Sequence, residues 1–237
     1  MHTNNETGVM QDIETIGKLI KEKSSRVKFH VDAVQAYGKY KIDVKKCNID
    51  LLSVSGHKIH GPRGIGFAYL KKELRPEPLI YGGGQEHGFS SGTENLAAIS
   101  GLAEAARIVY GRYKDNFSKV SEIKGYFIDR LKSIKGLKIN SEGDFYSPYV
   151  LSVSFLGVKG EVLLHMLEDK GIFVSTGSAC SAKSSEESHV LKAIGLKDED
   201  IRGTIRFSFS EFNKKEEIDY TIGVIDKSLK FLRRIKI

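Results

Sequence analysis

The sequence of 237 residues lacks several features that would place it in a specialised class of protein. Two cysteines cannot form a disulfide framework, so a reducing compartment such as the cytoplasm is the expected location. The apolar runs are too short to cross a bilayer, and no basic-plus-apolar export signal is seen near the first residue. Internal repeats and low-complexity segments are also missing. We therefore expect a globular protein without membrane association.

Negative charge is in deficit, which leaves a formal net charge of +7. Such an excess could attract an anionic partner, for example RNA or an acidic protein. The basic residues are scattered, however, and they form neither a stripe interleaved with aromatics nor a nucleic-acid motif. We interpret them as a solvated, lysine-rich surface and expect no direct contact with nucleic acid.

A lysine set among small and polar residues is the most informative feature that is present. Lys58 comes shortly after the apolar run 49–54, and a lysine at a strand end can form a Schiff base. Gly56 leaves the backbone open around the amine. Ser55 and His57 offer polar groups of the kind that hold a phosphate.

A carboxylate follows a second apolar run. Asp32 comes directly after the predicted strand 27–31, and ligands of open α/β sheets bind at the carboxyl ends of strands. An Asp paired with a Schiff-base lysine is the arrangement that pyridoxal phosphate (PLP) requires, because the carboxylate keeps the pyridine nitrogen protonated and makes the ring an electron sink. The sequence therefore predicts a PLP site built from Asp32 and Lys58.

A second group of candidate residues lies in the last third of the chain. Cys180 sits among small residues, where an exposed thiolate could reach a substrate; a small residue packed in a tight loop fits the same pattern equally well. The guanidinium of Arg206 could bind a carboxylate, although alone it fits a surface arginine. Cys47 precedes a core strand and is interpreted as packing. The two cysteines lack metal-ligand spacing.

The hydrophobic periodicity predicts alternating helices and strands first and an α+β arrangement later. We expect one domain at 1–112 and a second domain at 113–237, joined by a long helix with a break at 113–116. Alternation in 151–155 predicts a half-buried strand, and alternation around Arg206 puts it opposite Ile205 and Phe207. The predicted strands are 27–31, 49–54, 66–70, 151–155, 172–174 and 204–209; the predicted helices are 12–23, 96–131, 160–170 and a closing helix from 214, capped by Asn213.

Taken together, these segments resemble the PLP-dependent cysteine desulfurases of the NifS/IscS type. The resemblance covers essentially the whole chain, in the family's order, and the ordered set of motifs carries it rather than any one of them. The matching segments are 1–8, 30–35, 55–58, 61–66, 91–93, 177–180 and 205–208. It implies the fold type I of PLP-dependent transferases, with an incomplete large α/β domain followed by a small α+β C-terminal domain.

The resemblance also implies a role for each candidate residue. Lys58 is expected to bind the cofactor and to move the Cα proton, and Cys180 to take the substrate sulfur as a persulfide. L-cysteine is then the substrate, L-alanine the product, and iron–sulfur cluster assembly or tRNA thiolation the destination of the sulfur, through an acceptor protein. The remaining implied contacts are Asp32 to the pyridine nitrogen, Gln35 to the ring hydroxyl side, Ser55 and His57 to the phosphate, Thr93 to the phosphate of the other subunit of a homodimer, and Asn5 and Arg206 to the substrate carboxylate.

Two departures from the family pattern stand out. The family carries a large portion upstream of the segment around Asn5, including a phosphate-binding helix N-terminus and an aromatic histidine over the ring, so we expect this chain to be a fragment or half of a split enzyme. Ser90 stands where the family commonly has arginine, which weakens the expected cross-subunit phosphate contact.

Two alternatives remain open on the residues alone. A related PLP enzyme, such as a selenocysteine lyase or a class V aminotransferase, needs only Lys58 and Asp32. The other alternative is a truncated, inactive module for dimerisation or docking.

Overall fold

The computed structural model describes residues 1–177 and 188–235, and the chain divides into two compact units. The first unit comprises Met1–His2 and Gln11–Tyr113, and the second comprises Thr3–Met10 and Lys114–Ile237. Across the described residues, no helix is both long enough and apolar enough to span a membrane.

The first unit is built on a three-stranded sheet. Its strands are β1 (His30–Asp32), β2 (Leu51–Ser55) and β3 (Gly66–Leu70), in the order β1-β2-β3, with β1 parallel and β3 antiparallel to β2. Helix α1 (Ile13–Lys23) begins after Asp12, whose side chain accepts a hydrogen bond from the Thr15 amide. One sheet face is buried in an apolar core formed by Ile13, Val31, Ala33, Cys47, Ile49, Leu52 and Val54.

A buried carboxylate explains why β1 and β2 begin later than their apolar runs predict. Asp50 accepts hydrogen bonds from the Phe29 amide at 2.8 Å and from Lys21 Nζ at 2.5 Å. The Phe29 carbonyl in turn accepts from the amides of Asp50 and Leu51. Phe29 is therefore held by the Asp50 side chain together with two backbone hydrogen bonds, outside the regular strand ladder.

The long helix α2 (Leu96–Leu131) is continuous, so the predicted break at 113–116 is wrong. The polar stretch there contains neither proline nor glycine, and one ring contact within the helix and one tertiary hydrogen bond support it. The ring of Tyr113 packs edge-on against Tyr110, with centroids 6.2 Å apart. Asn116 Nδ2 donates to Glu211 at 3.3 Å.

The second unit carries an antiparallel sheet of β4 (Leu137–Ile139), β5 (Val150–Phe155) and β6 (Thr204–Ser208), in the order β4-β5-β6. Its helices are α3 (Gly160–Glu168), α4 (His189–Ala193), α5 (Asp198–Arg202) and α6 (Lys215–Ile235), with the later part of α2. The core includes Phe127, Leu131, Leu151, Phe155, Leu163, Ile205, Ile225 and Leu229. Asn213 precedes α6, but its side-chain Oδ1 accepts from the Ser210 amide at 2.9 Å rather than capping the helix.

Two predictions about the strands of this unit are wrong. All six residues of β5 are buried, not half of them, because the polar face is also covered and hydrogen-bonded: Ser154 Oγ meets Thr204 Oγ1 at 2.7 Å. Residues 172–174 form no strand, and Phe173 among them is 81% exposed; only Ser175 forms a bridge, with Arg206.

The segment Thr3–Met10 belongs with the second unit, although it precedes residue 112. Its backbone pairs with the loop before β5: the Met10 amide donates to the Phe145 carbonyl at 2.7 Å, and the Ser147 amide donates to the Gly8 carbonyl at 2.8 Å. Gly8 has φ +77, a conformation that favours glycine, and a Cβ there would lie 3.1 Å from Val150 Cβ.

Candidate active site

Two polar residues end neighbouring parallel strands of the first unit. Asp32 is the last residue of β1, Ser55 is the last of β2, and the register pairs Asp32 with Ser53. Because the strands are parallel, their carboxyl ends lie at the same edge of the sheet. The half-buried Asp32 and the residues after Ser55 thus lie at that edge of the sheet.

Lys58 lies on a short 3₁₀ helix, Gly56–Ile59, that begins directly after β2. The turn is fixed at both ends: the Gly56 amide donates to the Ile65 carbonyl, and the Gly61 amide donates to the Gly56 carbonyl. Ile59 is buried in the core, whereas His57 and Lys58 are exposed. The turn therefore presents the Lys58 amine to solvent from a rigid base.

Gly56 is the residue on which this turn depends. A Cβ on Gly56 would lie 3.0 Å from Ile65 Cγ2 and 3.1 Å from Leu102 Cδ1. Any side chain here would push against the core under Lys58, so Gly56 is required by close packing and not, as the sequence predicts, by an open backbone around the amine.

The Asp32 carboxylate is held by its own turn. Oδ1 accepts from the Val34 amide at 2.9 Å, and the Asp32 carbonyl accepts from the His2 amide at 2.8 Å. The next residue, Ala33, is fully buried and donates its amide to the Ser53 carbonyl. One carboxylate oxygen is thus fixed by the backbone, and Gln35 follows in the same turn, half-buried.

Thr93 lies in an exposed segment of the first unit just before α2. The first turn of α2 is bonded by Asn95 rather than by Thr93: the Ala98 amide donates to Asn95 Oδ1 at 3.1 Å. Ser90 forms a backbone bridge with Ile80.

Asn5 and Arg206, both of the second unit, are in direct contact. Arg206 Nη1 donates to the Asn5 carbonyl at 3.0 Å. The alternation prediction for β6 is confirmed, since Ile205 and Phe207 are buried and Arg206 lies half-buried on the opposite face. Arg206 also pairs with Ser175 through two backbone hydrogen bonds of 2.6 and 3.2 Å.

Of the two cysteines, only Cys47 lies within the described residues. Cys180 lies outside the described residues. Cys47 is buried in the core of the first unit, and burial raises the pKa of its thiol. The interpretation of Cys47 as a packing residue is therefore confirmed.

Several polar residues that the sequence analysis overlooked shape the second unit. Asn4 Oδ1 accepts from the amides of Glu6 and Thr7 and from Thr7 Oγ1, an Asx turn that Asn followed closely by Gly could have signalled. Lys124 is 7% exposed, and its Nζ donates to the Ser147 carbonyl at 2.9 Å. Its helical spacing from Val120 and Phe127 would have placed it on the buried face.

Known proteins resemble this chain over nearly its whole length. Residues 1–221 match the family profile described as aminotransferase class-V. The chain is 44% identical over 235 residues to the cysteine desulfurase IscS of Vibrio vulnificus strain CMCP6, covering 98% of this chain and 57% of that protein. It thus spans little more than half the length of such curated relatives.

Solved structures resemble the chain over a similar extent. A NifS-like protein superposes with a TM-score of 0.89 at 35% identity, covering 98% of this chain and 60% of that one. A structure described as SspA in complex with cysteine gives a TM-score of 0.72 at 34% identity, covering 90% of this chain and 58% of that one.

Proposed function

Because the chain belongs to the class-V aminotransferase family, we propose that it serves as a cysteine desulfurase. The proposed reaction converts L-cysteine and a Cys180 thiol into L-alanine and a Cys180 persulfide. The observation that carries the proposal is the position of Asp32 and Lys58 after adjacent parallel strands, at one edge of the sheet.

The residues at this edge fit PLP. Lys58 offers an exposed amine on a rigid turn, and Asp32 has one oxygen fixed by the Val34 amide, which leaves the other for the pyridine nitrogen. When bound, PLP supplies an electron sink for charge at the substrate Cα. We assign the phosphate to Ser55 and His57, with Thr93 from the other subunit of a homodimer, and the ring hydroxyl side to Gln35.

Each remaining residue has a defined task in the proposed reaction. Lys58 removes the proton at Cα of L-cysteine, and Asp32 keeps the proton on the ring nitrogen. The Cys180 thiolate attacks the substrate sulfur, so that a sulfur–sulfur bond forms as the carbon–sulfur bond breaks and the carbon is protonated to alanine. Asn5 and Arg206 orient the substrate carboxylate, for which a guanidinium fork is suited.

The partners in this proposal are a second copy of the chain and a protein that accepts the sulfur. An acceptor for iron–sulfur cluster assembly and one for tRNA thiolation both fit the proposed persulfide. The cytoplasmic location expected from the low cysteine content stays a prediction.

The decisive experiment is borohydride reduction of the PLP-treated protein followed by peptide mapping. We expect label on Lys58, and we expect Lys58→Arg to lose both the label and the cofactor absorption band. Lys72→Arg, which changes an exposed lysine of the same unit, should keep both. A folded protein that shows no band and no label would overturn the proposal and favour a docking module.

Cys180→Ser separates the desulfurase from the related PLP enzymes. We expect this variant to keep the absorption band but to lose persulfide formation and at least 100-fold of the alanine release, because the thiol is the nucleophile. Alanine release that survives the substitution would indicate a lyase or an aminotransferase instead.

A further inference from the structure

A cleft of about 510 Å³ lies in the second unit, beside the last strand of its sheet. Three buried rings lie at its base: Phe127 packs edge-on against Phe207 and Phe209, with centroids 4.9 and 5.6 Å apart. The cleft is also lined by residues 171–174 and by residues 213–221, where α6 begins. An apolar surface of this size can bury one large side chain or two smaller ones.

The cleft adjoins the outer edge of β6, where two backbone groups have no partner. On that edge Arg206 exchanges two backbone hydrogen bonds with Ser175, whereas the Phe209 amide donates to Tyr149 on the side of β5. Because alternate residues of an antiparallel strand direct their N–H and C=O groups to opposite sides, Ser208 points both groups outward, as Arg206 does. Within residues 1–177 and 188–235, neither group of Ser208 is bonded.

The charge of the cleft is opposite to that of the chain. Glu216 and Glu217 are the charged side chains among the described residues of the lining, in a protein with a net charge of +7. Glu217 Oε2 is fixed, since it accepts from Asn213 Nδ2 at 3.0 Å and from the Lys214 amide at 3.1 Å. Glu216 is exposed. Two carboxylates at an apolar cleft favour an occupant that carries positive charge.

We propose that this cleft binds an extended peptide segment of another protein, which adds as a strand to the outer edge of β6. The N–H of Ser208 donates to a carbonyl of the peptide, and the C=O of Ser208 accepts from a peptide amide. An apolar side chain of the peptide covers the three phenylalanine rings, and a lysine or arginine lies beside Glu216. The inference does not depend on the desulfurase reaction.

The chain leaves this pairing position open, although it has residues nearby that could fill it. Continuing the antiparallel register of Ser175 with Arg206 by two residues would pair Phe173 with Ser208. Residues 172–174 form no strand, however, and Phe173 is 81% exposed. An unpaired strand edge beside an apolar surface is the setting in which peptides add to sheets.

The first test measures exchange of the Ser208 amide with solvent by NMR. The probe is the hexapeptide Lys-Lys-Phe-Val-Lys-Lys, acetylated and amidated, which has an apolar centre and basic ends. We expect fast exchange in the free protein, and about tenfold slower exchange at a peptide concentration about ten times the Kd. The Phe207 amide, which faces β5, should not change. Slow exchange at Ser208 without peptide, or binding without protection, would overturn the proposal.

A modified peptide separates strand addition from binding by side chains alone. N-methylation of the phenylalanine and the valine removes two N–H donors but keeps every side chain and charge. We expect this peptide to bind about tenfold more weakly or worse, because strand addition depends on main-chain hydrogen bonds. Equal affinity of the two peptides would show a pocket for side chains only, and strand addition would be wrong.

Variants of the protein test the same contacts from the other side. Ser208→Pro removes the outward N–H, and proline is tolerated on edge strands; Ser208→Ala keeps the N–H and is the matched control. We expect about tenfold weaker binding of the hexapeptide by Ser208→Pro, and a change below about twofold for Ser208→Ala. Equal binding by both variants would overturn the proposal, and the methylated peptide decides the question with wild-type protein if Ser208→Pro does not fold.

The charged contact has its own pair of variants. Glu216→Gln should weaken binding of the hexapeptide by about threefold or more and should reduce its dependence on salt concentration. Glu161→Gln removes an exposed carboxylate on α3, outside the lining of the cleft, and should change neither property. The same affinity and salt dependence in Glu216→Gln as in Glu161→Gln would contradict the placement of a basic side chain beside Glu216.

Discussion

Lys124 is a single residue whose protonation should set part of the stability of the second unit. Burial lowers the pKa of Lys124 to about 8, and nearby Glu142 offsets only part of this effect. An exposed lysine in the unfolded chain keeps a pKa near 10.5. The unfolded state therefore binds more protons between these values, and the free energy of unfolding should rise as pH increases from about 8 to 10.5.

Lys124→Met should remove the cost of burying this charge at neutral pH. The difference between about 8 and 10.5 corresponds to roughly 3 kcal/mol, from which the lost hydrogen bond to Ser147 subtracts about 1 kcal/mol. We expect the variant to be about 1–2 kcal/mol more stable than wild type at pH 7, with the gain shrinking above pH 9, in urea unfolding. Lys119→Met changes an exposed lysine of α2 and should show no such trend. A pH-independent loss in Lys124→Met would contradict this assignment.

At the scale of elements, one buried ion pair fixes the strands that carry Asp32 and Ser55. Asp50 is 2% exposed; burial raises the pKa of its carboxyl, but hydrogen bonds from Lys21 and from the Phe29 amide outweigh this and hold the pKa below its usual range. A carboxyl whose pKa is lowered by folding stabilises the fold at pH values above its pKa in the unfolded chain. That contribution is lost as pH falls through the pKa of the folded state.

Lys21→Met should leave the Asp50 charge buried with a single backbone partner. We expect a loss of about 3 kcal/mol at pH 7, measured by urea unfolding. Burial then dominates the pKa of Asp50 and raises it, so the loss should shrink on acidification toward pH 5, the opposite of the wild-type trend. Lys18→Met, which removes an exposed lysine of α1, should cost less than about 0.5 kcal/mol. A loss that grows on acidification would argue against this account.

The elements near the site were predictable from sequence because their signals are local. The apolar runs located β1 and β2 to within a few residues, and small or polar neighbours marked the turns that hold Asp32 and Lys58. The sequence could not show that Asp50, inside an apolar run, is bonded to Lys21 and to the Phe29 amide, which are 29 and 21 positions away from it in the chain. Long-range pairing of this kind has no local pattern.

The same limit applies to the second unit. Glu6 and Ser188 are 182 positions apart, so nothing near either residue signals their contact. Alternation in β5 predicted a polar face in solvent, whereas Ser152 and Ser154 are buried and satisfied by hydrogen bonds. Alternating serines indicate only that hydrogen bonds can form on one face of a strand. The tertiary fold determines whether water or protein supplies the partners.

At the scale of the whole molecule, PLP binding should change the reactivity of a residue that does not contact the cofactor. Cys47 is 7% exposed, in the core next to β1 and β2, so reagents reach its thiol only when this part of the first unit opens. With Cys180 replaced by serine, Cys47 is the only thiol in the chain. Its alkylation rate under native conditions then measures how often the core opens.

PLP should slow the alkylation of Cys47, because a ligand that binds only the folded state stabilises it by mass action. At a free concentration 100 times the Kd, the expected slowing is about 100-fold, when reclosing is faster than alkylation. Lys58→Arg in the same Cys180→Ser background keeps the charge but cannot hold the cofactor covalently, so the slowing should fall by at least tenfold. Equal protection in both proteins would show that PLP does not bind at Lys58. The proposed site at the sheet edge that carries Asp32 and Lys58 would then be wrong.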